Sequence, residues 1–405
     1  MALPNASRVH LGLPMNYDFD TIIPRRGAGS AKWEYYPADV LPMWVADMDF
    51  RSPEPVIRAL RERAEQGTFG YTLPPPRLAP LICERLERLY GWQVMPEQIV
   101  YVPSLVVAIN LLCRAVGEPG DHVLTLTPAY PPFLSAPGFH DRVCDTLELT
   151  REVQGGTLSY RLDLEAFAGA LHGRTRLFLL SNPHNPVGLM YDAATLRGVA
   201  EACLRNGTLI CSDEIHCDLL LGTTRHVPMA TLGPDIAAQT ITLLSPSKSF
   251  NLPGLGCGFM VVPSAEWRAR LVRAGAGIVP YVNAMGYAAA LAAYEKGEPW
   301  LAALRAYLSA NRDFYLRYLS EHLPQLRTTV PEATYLGWID CREAGIEANP
   351  YHFFLERARV ALSDGTAFGP GGEGFVRLNF GCPRALLAEG LERMRDALER
   401  AGEEG

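Results

Sequence analysis

Four polar side chains stand where an ordinary surface would not put them. Lys248 lies in SPSKSFNLPG, directly after the apolar run TITLL, flanked by Ser245, Ser247 and Ser249. At the end of a buried strand an amine is partly desolvated, which lowers its pKa and makes it a nucleophile able to form an imine with an aldehyde. The neighbouring hydroxyls suit a phosphate. Asp213, in SDEIHCD, closes the run TLIC, where a carboxylate is costly unless it is paired. Asn185 sits in SNPHNPVG, a Pro-rich turn that holds its amide rigid. Arg377, in FVRLNFG, needs an anionic partner if its strand is buried, and a substrate carboxylate gripped by two parallel hydrogen bonds would supply one. Each residue also has a plain structural reading: a loop lysine, a helix-capping aspartate, a simple turn, an internal ion pair.

A second tier of candidates surrounds them. Tyr130, between prolines in TPAYPPF, presents a fixed face for stacking on a flat ring, or is simply packed. His216 follows Asp213 by three residues and either approaches a cofactor's phenolic oxygen or packs in the core. Glu214 and Asp218 read as solvated or structural. His216 with Asp218 has little support as a metal pair, and no metal is expected. Tyr71 in TFGYTLPPP, and Ser104, Leu105 and Val106 in VPSLVVAIN, are phosphate candidates. The latter stretch is a strand-to-helix turn, where free N–H groups and the helix dipole favour an anion. Asn182 joins the substrate-binding candidates, and Trp44, Tyr281, Asn283 and Tyr335 those for a side-chain pocket. An imine-forming amine, a carboxylate for a ring nitrogen, an amide for a phenolic oxygen and a phosphate turn together describe a pyridoxal 5′-phosphate (PLP) site. The pyridine nitrogen of that cofactor becomes cationic opposite an aspartate, which strengthens the ring as an electron sink.

The elements that must position these residues are legible as runs. IVYVPS, HVLTLTP, RLFLLSNP, TLICSDE, TITLLSPS and GFMVVPS, each bounded by turn-forming residues, read as strands covered on both faces. Amphipathic stretches such as AATLRGVAEACLRNG lie between them. The alternation predicts an α/β domain with a mostly parallel sheet over residues 46–285. Beyond it, residues 298–323 form one long helical pattern, TYLGWIDCR and FVRLNFG look like strands, and PRALLAEGLERMRDALERAG reads as a final helix. These residues, 286–405, together with 1–45, are expected to make a smaller α+β domain. Ligands of an open parallel sheet bind beyond the carboxyl ends of its strands, which is where Tyr130, Asn182, Asn185, Asp213, Ser245, Ser247 and Lys248 all fall.

Composition sets the outer bounds. A chain of 405 residues is too long for one ordinary core. A net charge of −7, with no basic run, argues against nucleic-acid binding. No apolar run approaches the ~20 residues of a membrane span, and Met1 to Leu13 has no apolar core of a signal peptide. The nine cysteines include no C-x-x-C pair and read as small buried hydrophobes in a reducing, cytoplasmic setting.

The motifs together resemble fold-type I PLP enzymes of aminotransferase class I/II. The order Tyr130, Asn185, Asp213, Lys248, Arg377, with intervals of 28 residues from Asn185 to Asp213 and 35 from Asp213 to Lys248, matches that family's ring-stacking aromatic, phenolic-oxygen asparagine, ring-nitrogen aspartate, Schiff-base lysine and carboxylate arginine. Within it, FDTIIPRRGAGSAKWEYY, LPMWVADMDF, FGYTLPPP, EPGDHVLTLTPAYPPF, NPHNPVG, SDEIHCDLLL and ATYLGWIDCR are similar to the MalY/PatB-type cystathionine β-lyase (C–S lyase) branch. The resemblance implies a homodimer with Tyr71 reaching the neighbour's cofactor phosphate, and cleavage of a cysteine S-conjugate to thiol, pyruvate and ammonia. The same residues would also serve an aminotransferase, or a decarboxylating or oxidatively deaminating enzyme acting on an S-conjugated amino acid. A non-catalytic PLP-binding regulator would need a further module, and no spare segment is evident. The chain departs from the branch at Ser104, where members usually carry glycine, which bears on the tilt of the cofactor. It has Gly256 where classical aspartate-type aminotransferases hold the phosphate with an arginine, as expected of the lyase branch.

Overall fold

The computed structural model describes residues 17–154 and 156–404. Its largest element is a seven-stranded sheet: β1 Ile99–Val102, β2 His122–Thr127, β3 Val143–Glu148, β4 Thr175–Ser181, β5 Leu209–Asp213, β6 Thr240–Leu244 and β7 Gly258–Val261, in the order β1-β7-β6-β5-β4-β2-β3. Neighbours from β6 to β3 pair in parallel, while β7 runs antiparallel to both β6 and β1. All six expected runs are strands of this sheet. The seventh, β3, alternates exposed and half-buried residues along VCDTLE. It lies at the edge with one neighbour, so it lacks the continuous apolar run that marks the others.

Local signals set the helices. Among them are α1 Glu54–Glu65, α2 Leu78–Tyr90, α3 Leu105–Ala115, α4 Ala193–Asn206, α5 Pro246–Ser249, α6 Ala284–Lys296, α7 Glu298–His322 and α8 Arg384–Glu404. Helix α4 starts where the Asp192 carboxylate accepts the Thr195 N–H at 2.7 Å. It stops at Gly207, whose φ of 70° is cheap only without a Cβ. Helix α3 starts at Ser104, whose Oγ accepts the Val107 N–H at 3.3 Å.

A second, antiparallel sheet contains β8 Arg327–Thr328, β9 Leu336–Asp340, β10 Ser363–Asp364 and β11 Phe375–Asn379, ordered β8-β9-β11-β10. Helices α7 and α8 share one apolar cluster with it, including Leu304, Leu308, Leu336, Val376, Leu378, Leu391 and Met394. Residues Leu41–Pro42 pair with Val360–Ala361, and Phe19 packs edge-on to Phe50 and Trp300. Residues 17–50 therefore lie along the C-terminal part of the chain.

Trp338 of β9 stands opposite Arg377 of β11 in the ladder. Its ring stacks on Phe375 at 5.1 Å and meets Phe368 at 5.2 Å, and its indole N–H donates to the Tyr160 hydroxyl at 3.1 Å. Trp338→Ala should lower the unfolding free energy by about 3–5 kcal/mol, the usual cost of emptying a buried aromatic site. Trp338→Phe should lose appreciably less. Urea denaturation at constant m value measures both.

Candidate active site

The carboxyl ends of the parallel strands open onto a cavity of about 230 Å³. Because β7 is antiparallel, it begins at the edge where its neighbours finish, and so Gly256 and Cys257 join the cavity wall. Tyr130, Asn185, Asp213, His216, Ser245, Ser247, Lys248 and Arg377 all line it, with Ser104, Leu105 and Val106 at the first turn of α3. The N–H groups of that turn have no carbonyl one turn back to accept them, so they are available to an anion in the cavity. The Ser104 hydroxyl, by contrast, caps its own helix.

Three charged groups meet in this wall without opposites. Among the described residues, no ion pair within 4.0 Å involves Asp213, Lys248 or Arg377. The Asp213 carboxylate is buried and accepts the Ile215 N–H at 3.1 Å. Desolvation raises its pKa to about 7. Burial, reinforced by Arg377, lowers the Lys248 amine to about 8, and its Nζ donates to the Ala46 carbonyl at 2.5 Å. The Arg377 guanidinium is pushed down to about 10 by burial. Its partners are neutral oxygens: Asn185 Oδ1 at 3.0 Å, the Trp44 carbonyl at 3.0 Å and Ser363 Oγ at 3.2 Å. Its Nε has no partner, and its Cζ lies 4.9 Å from the centre of the Phe368 ring. The internal ion pair that would explain a buried arginine is absent among the described residues. His216 is buried with Nδ1 unpartnered, and burial lowers its pKa to about 3, which keeps the ring neutral.

Residues that the sequence did not single out hold this arrangement. One is His184, whose Nε2–H donates to the Pro128 carbonyl at 2.8 Å while its Nδ1 accepts from the Tyr191 hydroxyl at 3.0 Å. It ties the turn carrying Asn185 to the turn carrying Tyr130. Another group fastens the strap Trp44–Phe50. Asn379 Nδ2 donates to the carbonyls of Val45 and Asp47, both at 2.7 Å. Asn251 Nδ2 donates to those of Met48 and Phe50 at 2.9 and 2.8 Å. Lys32, 1% exposed, and Arg25 bind the Asp49 carboxylate at 2.7 and 2.6 Å, with the Trp33 indole N–H at 2.7 Å. Burial pushes the Asp49 pKa up, but these donors outweigh it and hold the group below its usual value. The strap therefore offers the Ala46 carbonyl to both Lys248 and the Tyr335 hydroxyl, the latter at 2.9 Å. Asn379 was legible in principle: it lies two residues from Arg377 in an apolar strand, on the same face. Lys32 carried no such signal.

Other expected residues fall outside the wall. Asn182 is fully buried; its Oδ1 accepts the Tyr191 N–H at 3.4 Å and its Nδ2 is unpartnered. Tyr335 stands behind the strap, facing His216 at 6.1 Å between rings. Trp44 contributes its carbonyl to the Arg377 shell. Asn283 caps α6, and Tyr281 and Tyr71 are exposed.

The sign of the Asp213 shift gives a test. A carboxyl with a raised folded pKa binds a proton that the unfolded chain has already released, so its contribution to stability falls as pH rises from about 4 to about 7. Asp213→Asn should therefore stabilise the ligand-free protein at pH 8, by up to about 4 kcal/mol at ~1.36 kcal/mol per pKa unit. The gain should shrink through pH 7 and vanish near pH 4, as read by urea denaturation across that range.

A family model described as aminotransferase class I and II matches residues 38–394. The chain is 39% identical over 395 residues to cystathionine beta-lyase PatB of Bacillus subtilis, covering 94% of this chain and 100% of that one. A crystal structure of a protein named OvoB is 43% identical with a TM-score of 0.89, covering 94% and 99% of the two chains. The PLP-bound C-S lyase from Staphylococcus hominis is 30% identical with a TM-score of 0.88, over 96% and 99%.

Proposed function

The chain belongs to the class I and II aminotransferase family, and from that premise we propose that it is a PLP-dependent carbon–sulfur β-lyase that converts a cysteine S-conjugate to thiol, pyruvate and ammonia. The observation that carries this reading is a trio of charges without opposites around one cavity: Asp213 and Arg377, both buried, and the half-buried amine of Lys248. PLP fits two of them. Its ring nitrogen offers Asp213 the missing cation, and its aldehyde offers Lys248 a covalent partner. The α-carboxylate of an amino acid fits the third. The relatives named for this chemistry support the choice of reaction.

When bound, the cofactor supplies an electron sink that stabilises negative charge at the substrate α-carbon. The protein does the rest. Asp213 holds the ring nitrogen in its protonated form. Asn185 accepts from Arg377 through its Oδ1, which leaves its Nδ2 as the donor that would hold the phenolic oxygen. Tyr130 covers the ring face. The first-turn N–H groups of Leu105 and Val106, with the Ser247 hydroxyl, receive the phosphate. His216, kept neutral, sits beside the ring without competing for its charge. Arg377 would bind the substrate carboxylate and so orient the α-carbon in the cavity. The Lys248 amine, with a pKa brought down toward neutrality, would be set free when the substrate amine takes its place on the aldehyde, and would then take the α-proton. The thiolate would then leave from the β-carbon with the electron pair of the C–S bond, and one water would release the remaining three-carbon fragment as pyruvate and ammonia.

The remaining assignments belong to the same reading. Residues 46–285 make the cofactor domain and the flanking segments a smaller one. Asn182 and Tyr335 shape the substrate side from behind the wall. The protein is a homodimer in which the exposed Tyr71 enters the partner's phosphate site; exposed Phe69, Leu73, Ile278 and Tyr281 supply apolar area for such an interface. All nine cysteines are unpaired, which supports a reducing, cytoplasmic setting. No helix among the described residues is long and apolar enough to cross a membrane.

The purified yellow protein, given a panel of cysteine S-conjugates, should release pyruvate and free thiol in equal amounts. Lys248→Ala should lose both the visible band and turnover. The product of an amino-group acceptor in place of pyruvate would overturn the reaction assigned here. A mixture of Tyr71→Ala and Lys248→Ala subunits, each inactive alone, should recover about a quarter of the wild-type sites after exchange, because half of the dimers then carry one intact site. No recovery after demonstrated exchange would remove Tyr71 from the partner's site.

A further inference from the structure

At the far end of the sheet from the cavity, His122, Asp145 and His172 converge. His122 opens β2, and the five steps to Thr127 at the cavity edge span about 17 Å at ~3.3 Å per residue. Asp145 lies on the edge strand β3, and His172 in the turn before β4. One carboxylate oxygen, Asp145 Oδ2, faces both imidazoles: His122 Nδ1 at 2.8 Å and His172 Nε2 at 3.2 Å. The rings meet edge to face, 4.4 Å between centroids. Among the described residues this is the one group of three His, Cys, Asp or Glu donors within 4.8 Å of each other.

We propose that His122, Asp145 and His172 form a structural site for a first-row divalent cation of the zinc type, which clips the edge strand β3 to β2 and to the turn before β4. The donor spacing is already that of a coordination shell. Bonds of about 2.0–2.1 Å give ligand–ligand edges of roughly 2.9 Å in an octahedron and 3.4 Å in a tetrahedron, close to the 2.8 and 3.2 Å seen from Asp145 Oδ2 to the two imidazoles. Two imidazoles and one carboxylate select zinc, cobalt, nickel or copper over magnesium and calcium. All three side chains are partly exposed, so an aqueous ion reaches them and water completes the shell. The His172 backbone is fixed from both sides: its N–H donates to Thr175 Oγ1 at 3.2 Å, and its carbonyl accepts from Asn206 Nδ2 at 3.0 Å. Binding replaces the two hydrogen bonds between Asp145 and the imidazoles by bonds to the ion, and it also breaks the 3.3 Å bond from the Arg174 N–H to His172 Nδ1, because a ring ligating through Nε2 carries its proton on Nδ1. The neighbouring Arg174 and Arg176 are drawn to Asp121 at 3.3 and 3.6 Å.

The test uses tag-free holoenzyme cleared of metal by chelator and titrated with zinc or cobalt alone, followed by calorimetry, thermal unfolding and, for cobalt, the visible ligand-field bands. One equivalent should bind in the micromolar range and raise the melting temperature, with cobalt bands typical of nitrogen and oxygen ligands. His122→Ala and His172→Ala should each weaken binding by at least about tenfold. Asp145→Asn, close in shape to the native residue, should do the same and serves if an alanine variant fails to fold. Cys144→Ser, beside the site but outside it, should bind as the native protein does, and catalytic rates should not move. The proposal is overturned if no saturable binding occurs below millimolar metal. It is equally overturned if binding survives all three ligand substitutions, or if the cobalt bands are those of a thiolate.

Discussion

Burying a charge without its opposite is among the most expensive things a protein can do, and this one does it twice around a single cavity, at Asp213 and Arg377, with the half-buried Lys248 amine beside them. Asp213, Lys248 and Arg377 each lie within the wall, and each has its pKa moved by desolvation in the direction that penalises its charge. A fold tolerates that only where incoming molecules complete the pairing. The layout of the seven-stranded sheet follows from this need. Parallel strands deliver Asp213 and Lys248 at their carboxyl ends, and the reversed β7 brings Gly256 to the same edge without a side chain. A Cβ there would come within 3.2 Å of the Pro103 carbonyl, at the turn whose N–H groups face the cavity. Arg377 arrives from a different sheet altogether, so the site exists only where the two sheets meet.

The strap at residues 44–50 reconciles the two halves. It is irregular backbone crossing the interior, and irregular backbone survives there only if its carbonyls are satisfied. Asn251, from the segment just after Lys248, and Asn379, from the strand of Arg377, each satisfy two of them. The strap is thus held by the elements that carry the two cationic groups. The Lys32–Asp49–Arg25 cluster adds a paired network at the end of the strap, in contrast to the unpaired charges of the cavity wall. The contrast is physical: paired groups fix geometry, and unpaired ones wait on chemistry.

Much of this was readable before any coordinates. Asp213 and Lys248 betrayed themselves by following long apolar runs, and the Pro-rich turn of Asn185 and the lone arginine of β11 were equally local signals. The expectation of a cofactor site at the strand ends rested on those alone. What escaped was whatever acts across distance. His184 links two turns 56 residues apart, and nothing near it in the chain announces the partner. The strap is bound through main-chain carbonyls, which every sequence possesses and none displays. Asn182, at a strand end like its neighbours, pointed sequence reasoning toward substrate, yet its side chain turns back toward Tyr191. The edge strand β3 went unread because exposure had replaced its apolar pattern with charge.

The contacts that seat the strap also impose an order on synthesis. Asn379 reaches back across 334 and 332 residues to Val45 and Asp47. A chain emerging from the ribosome would have the strands bearing Asp213 and Lys248 available well before the residue that closes the strap over them. Loop closure over such a span is slow and comes late. The nascent protein would therefore hold an open, incompletely walled crevice until translation has passed Asn379, and vitamin capture before then would be loose and reversible. Tight retention then becomes a property of a chain extended beyond Asn379, which couples acquisition of the prosthetic group to the making of that strand.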